Sequence, residues 1–184
     1  MNRIILLFCL VLSLSACTSK FQKVLKNKDT DYKVKMAEKY FAEKKYINAQ
    51  QLFESVIQFV KGTPRYEELY LMYANSYYND KDYENAENIY KTFIEYFPNS
   101  AKVEEVEFMR AYTFYKRSPK AELDQTTTNR AMQLMQSFID AHPTSTRVKE
   151  ASDVIDACRA KLELKDYKTA TLYYDLALYR ASAV

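Results

Sequence analysis

One spacing of small and aromatic residues recurs along this chain and limits what it can fold into. Between Glu67 and Pro98 it places Tyr70, Tyr73, Ala74 and Tyr77, then Tyr83, Ala86, Tyr90 and Phe93, then Pro98. Each half has the period of an amphipathic helix, and Asn79-Asp80-Lys81-Asp82 supplies a polar turn between them. Helices that meet at alanines approach closely, and aromatics fill the space on either side. One hairpin of this size cannot bury its own apolar face, so copies must flank it.

The copies are present. Ala37, Tyr40, Tyr46, Ala49 and Phe53 precede Ala74, Tyr77, Tyr83, Ala86 and Tyr90 at a constant offset of 37 residues. Gly62 falls where a helix should end, and Thr63-Pro64 has the form of an N-cap with proline in the first helical position. After Pro98, Asn99-Ser100 caps a helix expected over 101–116, with Ala111 and Phe114 in the Ala74 and Tyr77 places. Its partner comes late, at Ala131, Met135, Phe138 and Pro143, so eight extra residues fall within a loop over 118–129. Thr144-Ser145-Thr146 caps a fourth helix, expected to reach about Lys161. Beyond it two registers remain. Tyr167, Ala170 and Tyr174 form a second helix, or Ala170 and Tyr173 are first-helix positions and Tyr179 opens the next; the resemblance given below implies the latter. The domain is therefore expected over 31–184, with repeats at about 31–62, 67–98 and 101–143 and a partial one at 146–184.

Composition agrees with an all-α chain. A single Gly in 184 residues argues against hairpin-rich sheets and phosphate-cradling loops. A net charge of +3 is too balanced for nucleic acid as a main partner. No constellation for catalysis stands out, no Cys/His cluster has metal spacing, and no cofactor motif is present, so the expectation is a non-enzyme. The single histidine, His142, precedes Pro143 at a helix end, where a turn or capping role fits it. Glu67-Glu68 and Glu104-Glu105 are neighbours on helices, diverge by about 100°, and suit first turns.

The N-terminus carries an address. Asn2-Arg3, the apolar run Ile4 to Leu14 and Ser15-Ala16 have signal-peptide form over residues 1–16, too short to span a bilayer. Leu14-Ser15-Ala16-Cys17 resembles the bacterial lipobox, which implies cleavage before Cys17 and a covalent lipid on it. Thr18-Ser19, with no Asp, implies the outer membrane, and the non-acidic Ser19-Lys20-Phe21 implies its periplasmic face. Residues 17–30 are expected to form a basic tether. From Lys20 to Lys45 nine lysines face four acids, a pattern that fits either a headgroup contact or a solvated face. Cys158 is left without a disulfide partner and fits a small core position.

The spacing Tyr70-x2-Tyr73-Ala74-x2-Tyr77, Ala86-x3-Tyr90, Pro98 resembles the tetratricopeptide signature, whose fold is a solenoid of antiparallel helix pairs. With the lipobox, the tether and Leu123-Asp124-Gln125-Thr126 in the third repeat, the chain resembles the BamD family of outer-membrane β-barrel assembly lipoproteins. Members usually continue for further repeats. The resemblance implies two partners besides the membrane: unfolded barrel proteins, and the barrel-forming inserter with its periplasmic domains. First helices line the concave face of such arrays. The positions there not assigned to packing are Glu38, Phe41, Leu71, Asn75, Tyr78, Phe108, Tyr112 and Tyr115. Phe41, Asn75, Tyr78, Tyr112 and Tyr115 are the peptide-binding candidates, since rings and amides suit an extended strand. Asp124, Gln125 and Thr126 form either a docking edge or a latch that caps the next helix. A periplasmic adaptor that scaffolds envelope-synthesis or division proteins is the second reading of the same pattern.

Overall fold

The computed structural model describes residues 20–183. The signal-peptide residues 1–16 and the lipid site Cys17 lie outside them. The described residues form helices and no strand. A short helical stretch over 20–25 is followed by α1 (Thr30–Ala42), α2 (Tyr46–Val56), α3 (Tyr66–Asn79), α4 (Tyr83–Tyr96), α5 (Val103–Arg117), α6 (Thr126–Ala141), α7 (Val148–Asp175) and α8 (Tyr179–Ser182). The chain divides into two units, one ending at Lys81 and the other beginning at Asp82.

In the first unit α1 and α2 form a hairpin and α3 packs on α2. Ala37, Ala49 and Ala74 are fully buried, and Leu52, Phe53, Val56 and Leu69 are buried with them. An aromatic ladder runs up α3 through Tyr66, Tyr70, Tyr73 and Tyr77, each ring edge-on to the next, and Phe53 of α2 meets it at Tyr73. Burial beside Tyr77 holds the Tyr73 phenol far above its ordinary pKa. Gln50 of α2 donates to the Ser76 carbonyl at 3.1 Å, a buried tie to α3. The expected tether is in part folded: Phe21 and Val24 are buried, and Phe21 meets Tyr40 edge-on. The apolar spacing of Phe21, Val24 and Leu25 gives the stretch one face to dock, which the count of lysines hid.

In the second unit neighbouring helices from α4 to α8 pack in order. Its core joins Phe108 and Ala111 of α5, Ala131, Met135 and Phe138 of α6, and Ala151, Val154, Ile155 and Cys158 of α7. Cys158 is fully buried, and burial raises its thiol pKa. Arg110 of α5 pairs with Glu87 of α4 at 2.7 Å, and both are largely buried.

Two backbone devices recur. Lys44, Lys81 and Ala177 adopt positive φ, each two residues before a helix that opens on tyrosine (Tyr46, Tyr83, Tyr179). The same bond closes each turn, from Lys44 to the Phe41 carbonyl, from Lys81 to that of Tyr78, and from Ala177 to that of Tyr174. The third copy places Ala170 and Tyr173 in first-helix register and lets Tyr179 open the next helix. Between pairs, Thr63, Ser100 and Ser145 each accept at the carbonyl from the residue three positions on, where the next helix begins. Ser100 and Ser145 also accept at the hydroxyl from the second residue on. This is why α3, α5 and α7 start at Tyr66, Val103 and Val148, two or more residues later than the caps alone imply. Thr63 instead donates its hydroxyl back to Val60, and Gly62 (φ 82°) sits in the bend before it. The helix expected to end near Lys161 runs on to Asp175 without a break.

Ala131 is fully buried within the core of the second unit. Ala131→Leu should lower the stability of the protein by about 1–3 kcal/mol, read from urea unfolding. An unchanged midpoint would contradict the packing at α5, α6 and α7.

Candidate functional site

On α3, Leu71, Asn75 and Tyr78 recur at the four- and three-residue steps that align side chains on one helix face, and all three are half-buried. On α1, Phe41 is half-buried and edge-on to Tyr46, while Glu38 is paired with Arg65. These five belong to the first unit. In the second unit Tyr112 and Tyr115 are half-buried on α5, their rings 5.5 Å apart, with the Lys116 ammonium 4.9 Å over Tyr112. Phe108 does not belong with them. It is 1% exposed, stacked on Tyr112, edge-on to Phe138 and capped by the Arg147 guanidinium at 4.3 Å. The same helical position holds half-buried Leu71 in α3, so spacing alone did not separate the two.

The inserted loop is shorter than expected. It spans 118–125, because α6 begins at Thr126 and not near Asn129. Asp124 accepts from Thr126, whose hydroxyl and then amide (2.9 Å) hold its carboxyl below the usual carboxylate range. Gln125 turns inward and is 5% exposed. Its amide donates to the carbonyls of Lys120 (2.8 Å), Leu123 (3.1 Å) and Ala121 (3.3 Å). Its amide oxygen accepts from Thr128 at 2.6 Å. Ser118 donates to Thr128 (2.6 Å), and Lys161 donates to Ser118 (2.6 Å). One donor direction therefore satisfies the whole chain from ammonium to amide. This geometry removes Gln125 from the residues a partner can touch, while Asp124 and Thr126 stay exposed.

Residues that sequence reasoning missed hold this loop from outside. Lys161, Lys165 and Lys168 line one face of α7. Lys165 donates to the Leu123 carbonyl at 2.7 Å, and Lys168 pairs with Glu122, whose carboxyl it keeps below the ordinary range. Their four- and three-residue spacing was the available signal. Past the loop, Leu164, Tyr167, Leu172, Tyr174, Leu176 and Tyr179 are exposed along α7, α8 and the turn between them.

A cleft of about 240 Å³ lies in the second unit between Ile94, Arg110, Leu134 and Phe138, with Glu107 on its wall. Glu107 is 2.6 Å from His142, the residue that ends α6, and Ser145 donates to Glu104 at 2.6 Å. His142 thus ties the α6–α7 link to α5. Among the described residues no group of three His, Cys, Asp or Glu side chains is placed to hold a metal ion, and no helix is long and apolar enough to cross a membrane.

Repeated hairpin turns, buried alanines and half-buried aromatic faces define a helical-repeat protein of tetratricopeptide type. The chain belongs to the YfiO family of outer membrane lipoproteins, whose family model matches residues 26–184. No curated protein matches it. The protein is accordingly an outer-membrane-associated lipoprotein of helical-repeat fold.

Gln125→Ala should cost about 1–3 kcal/mol, because it strips three loop carbonyls and Thr128 of their partner; thermal melting checks this. Asp124 and Glu122 have depressed pKa values, so their stabilising contribution is complete above the ordinary carboxylate range. It is lost as pH falls through the lowered values. Asp124→Asn should therefore flatten the acid side of a plot of Tm against pH. An unaltered acid limb would remove Asp124 from the latch.

Proposed function

We propose that this protein is a lipid-anchored subunit of the β-barrel assembly machine, on the periplasmic face of the outer membrane. It holds unfolded barrel proteins and positions the barrel-forming inserter, by binding energy and without a catalytic step. Membership of an outer membrane lipoprotein family over residues 26–184 carries this reading. Two features of the structure support it. Asn75 and Tyr78 share a half-buried face of α3 with Leu71, and such a face offers ring surface and amide donors to an extended strand. The exposed apolar surface of α7 and α8 suits a protein partner. Phe41 on α1 is a further half-buried ring of the first unit, and Tyr112 and Tyr115 on α5 are a half-buried pair of the second. Asp124 and Thr126 are the loop residues left for a docking contact.

Cys17 is the residue proposed to carry the lipid. Cys17→Ala should leave the protein soluble or retained at the inner membrane. Fractionation identical to wild type would remove the anchor from Cys17. Purification of the lipid-bearing protein from membranes should bring down the barrel-forming inserter and unfolded barrel proteins. The exposed apolar surface also fits an envelope scaffold. Recovery of a peptidoglycan synthase with no barrel assembly protein would establish that second reading and sink the first.

A further inference from the structure

The described residues open on a helical stretch over 20–25, and the charge of this part of the chain is one-sided. Residues 20–28 carry Lys20, Lys23, Lys26 and Lys28 and no acid. Phe21 and Val24 are buried, so the apolar face of this stretch is already used within the first unit. All four lysines are exposed, and none has an ion pair among the described residues. Asp29, the first acid, is turned toward α1, where its carboxylate accepts from the Tyr32 amide at 3.0 Å. The lysines are therefore held on a folded stretch, with nothing within the stretch to neutralise them.

Their distance from the anchor is limited by the chain. Lys20 is three residues from Cys17, and at about 3.5 Å per residue it lies within about 10 Å of it. That is close to the Debye length, about 8 Å at physiological salt, the range over which a charged surface is felt. We propose that Lys20, Lys23, Lys26 and Lys28 form a binding surface for anionic phospholipid headgroups, which seats the first unit against the membrane beside Cys17. The choice of lipid over an acidic protein rests on the proposed acylation of Cys17, which fixes what must lie within reach. With the apolar face of 20–25 docked inward, the contact is electrostatic and does not insert.

The consequence is positional. A basic tether of free chain would let the repeats swing at variable height. A folded stretch docked by Phe21 and Val24 and held by lysines fixes the height of α1 and α2 above the bilayer. Whatever the first unit binds is then presented close to the headgroups.

Vesicle co-sedimentation tests this with a protein that lacks residues 1–16 and carries Cys17→Ala, which keeps every described residue. It should bind phosphatidylcholine vesicles that contain phosphatidylglycerol, not pure phosphatidylcholine, and should release as salt rises. Each basic residue at an anionic surface contributes about fivefold, so the variant K20Q/K23Q/K26Q/K28Q should bind at least about tenfold more weakly. Its melting temperature should match wild type. The variant K91Q/K149Q, which changes exposed lysines far along the chain, should bind as wild type does. Equal binding to neutral vesicles, or full binding by the quadruple variant, would overturn the proposal. So would an equal loss in K91Q/K149Q. The protein in this test carries no lipid, so its result does not depend on Cys17. The mass of the mature native protein tests the anchor separately.

Discussion

Close approach of helices at alanine governs this fold. Ala37, Ala49, Ala74, Ala86, Ala111 and Ala131 are at most 1% exposed, and each occupies the small-residue position of its helix. A methyl group sets the separation, and the larger side chains then have defined spaces to fill. Phe53, Tyr90 and Met135, each four residues after an alanine, are fully buried as a result. Buried Ser76 and Thr113 follow the same logic. Each folds its hydroxyl back onto a carbonyl of its own helix, at Tyr73 and at Arg110, so a polar group is satisfied without demanding room from the partner.

An insertion in such a structure has to be satisfied locally, since the helix pair on either side cannot yield. Here eight residues are absorbed by a loop that makes its own interior. Gln125 serves as its centre, Ser118 and Thr128 close it, and Lys161, Lys165 and Lys168 fasten it to α7. The same lysines account for the length of α7. A turn near Lys161 would remove the surface to which the loop is bound. The loop and the long helix are thus one feature, and a change in either should register in both.

The repeats were legible in the sequence because a period of small and aromatic residues is a direct image of helix contact. The α7 helix was legible in hindsight: no Gly or Pro lies between Pro143 and Asp175, so no breaker residue marks a stop near Lys161. Helix starts were misplaced by two or three residues because Ser100 and Ser145 act through both carbonyl and hydroxyl, and spacing does not show which group accepts. Phe108 was misassigned because its exposure depends on Phe138 and Arg147, which are distant in sequence. Gln125 was ambiguous for a similar reason. An amide in a loop looks alike whether it faces solvent or three carbonyls of its own turn. The α3 residues proposed to face a ligand narrow to Asn75 and Tyr78 by elimination, but a partner is not encoded in their spacing.

The Asn75 and Tyr78 face of α3 is the surface proposed to hold unfolded barrel proteins. A photo-activated cross-linking amino acid in place of Tyr78, used in growing cells, tests it. Adducts are expected with newly made barrel proteins and should disappear when their synthesis is stopped. Folded, membrane-localised protein that forms adducts only with other envelope proteins, or none from position 78, would contradict it.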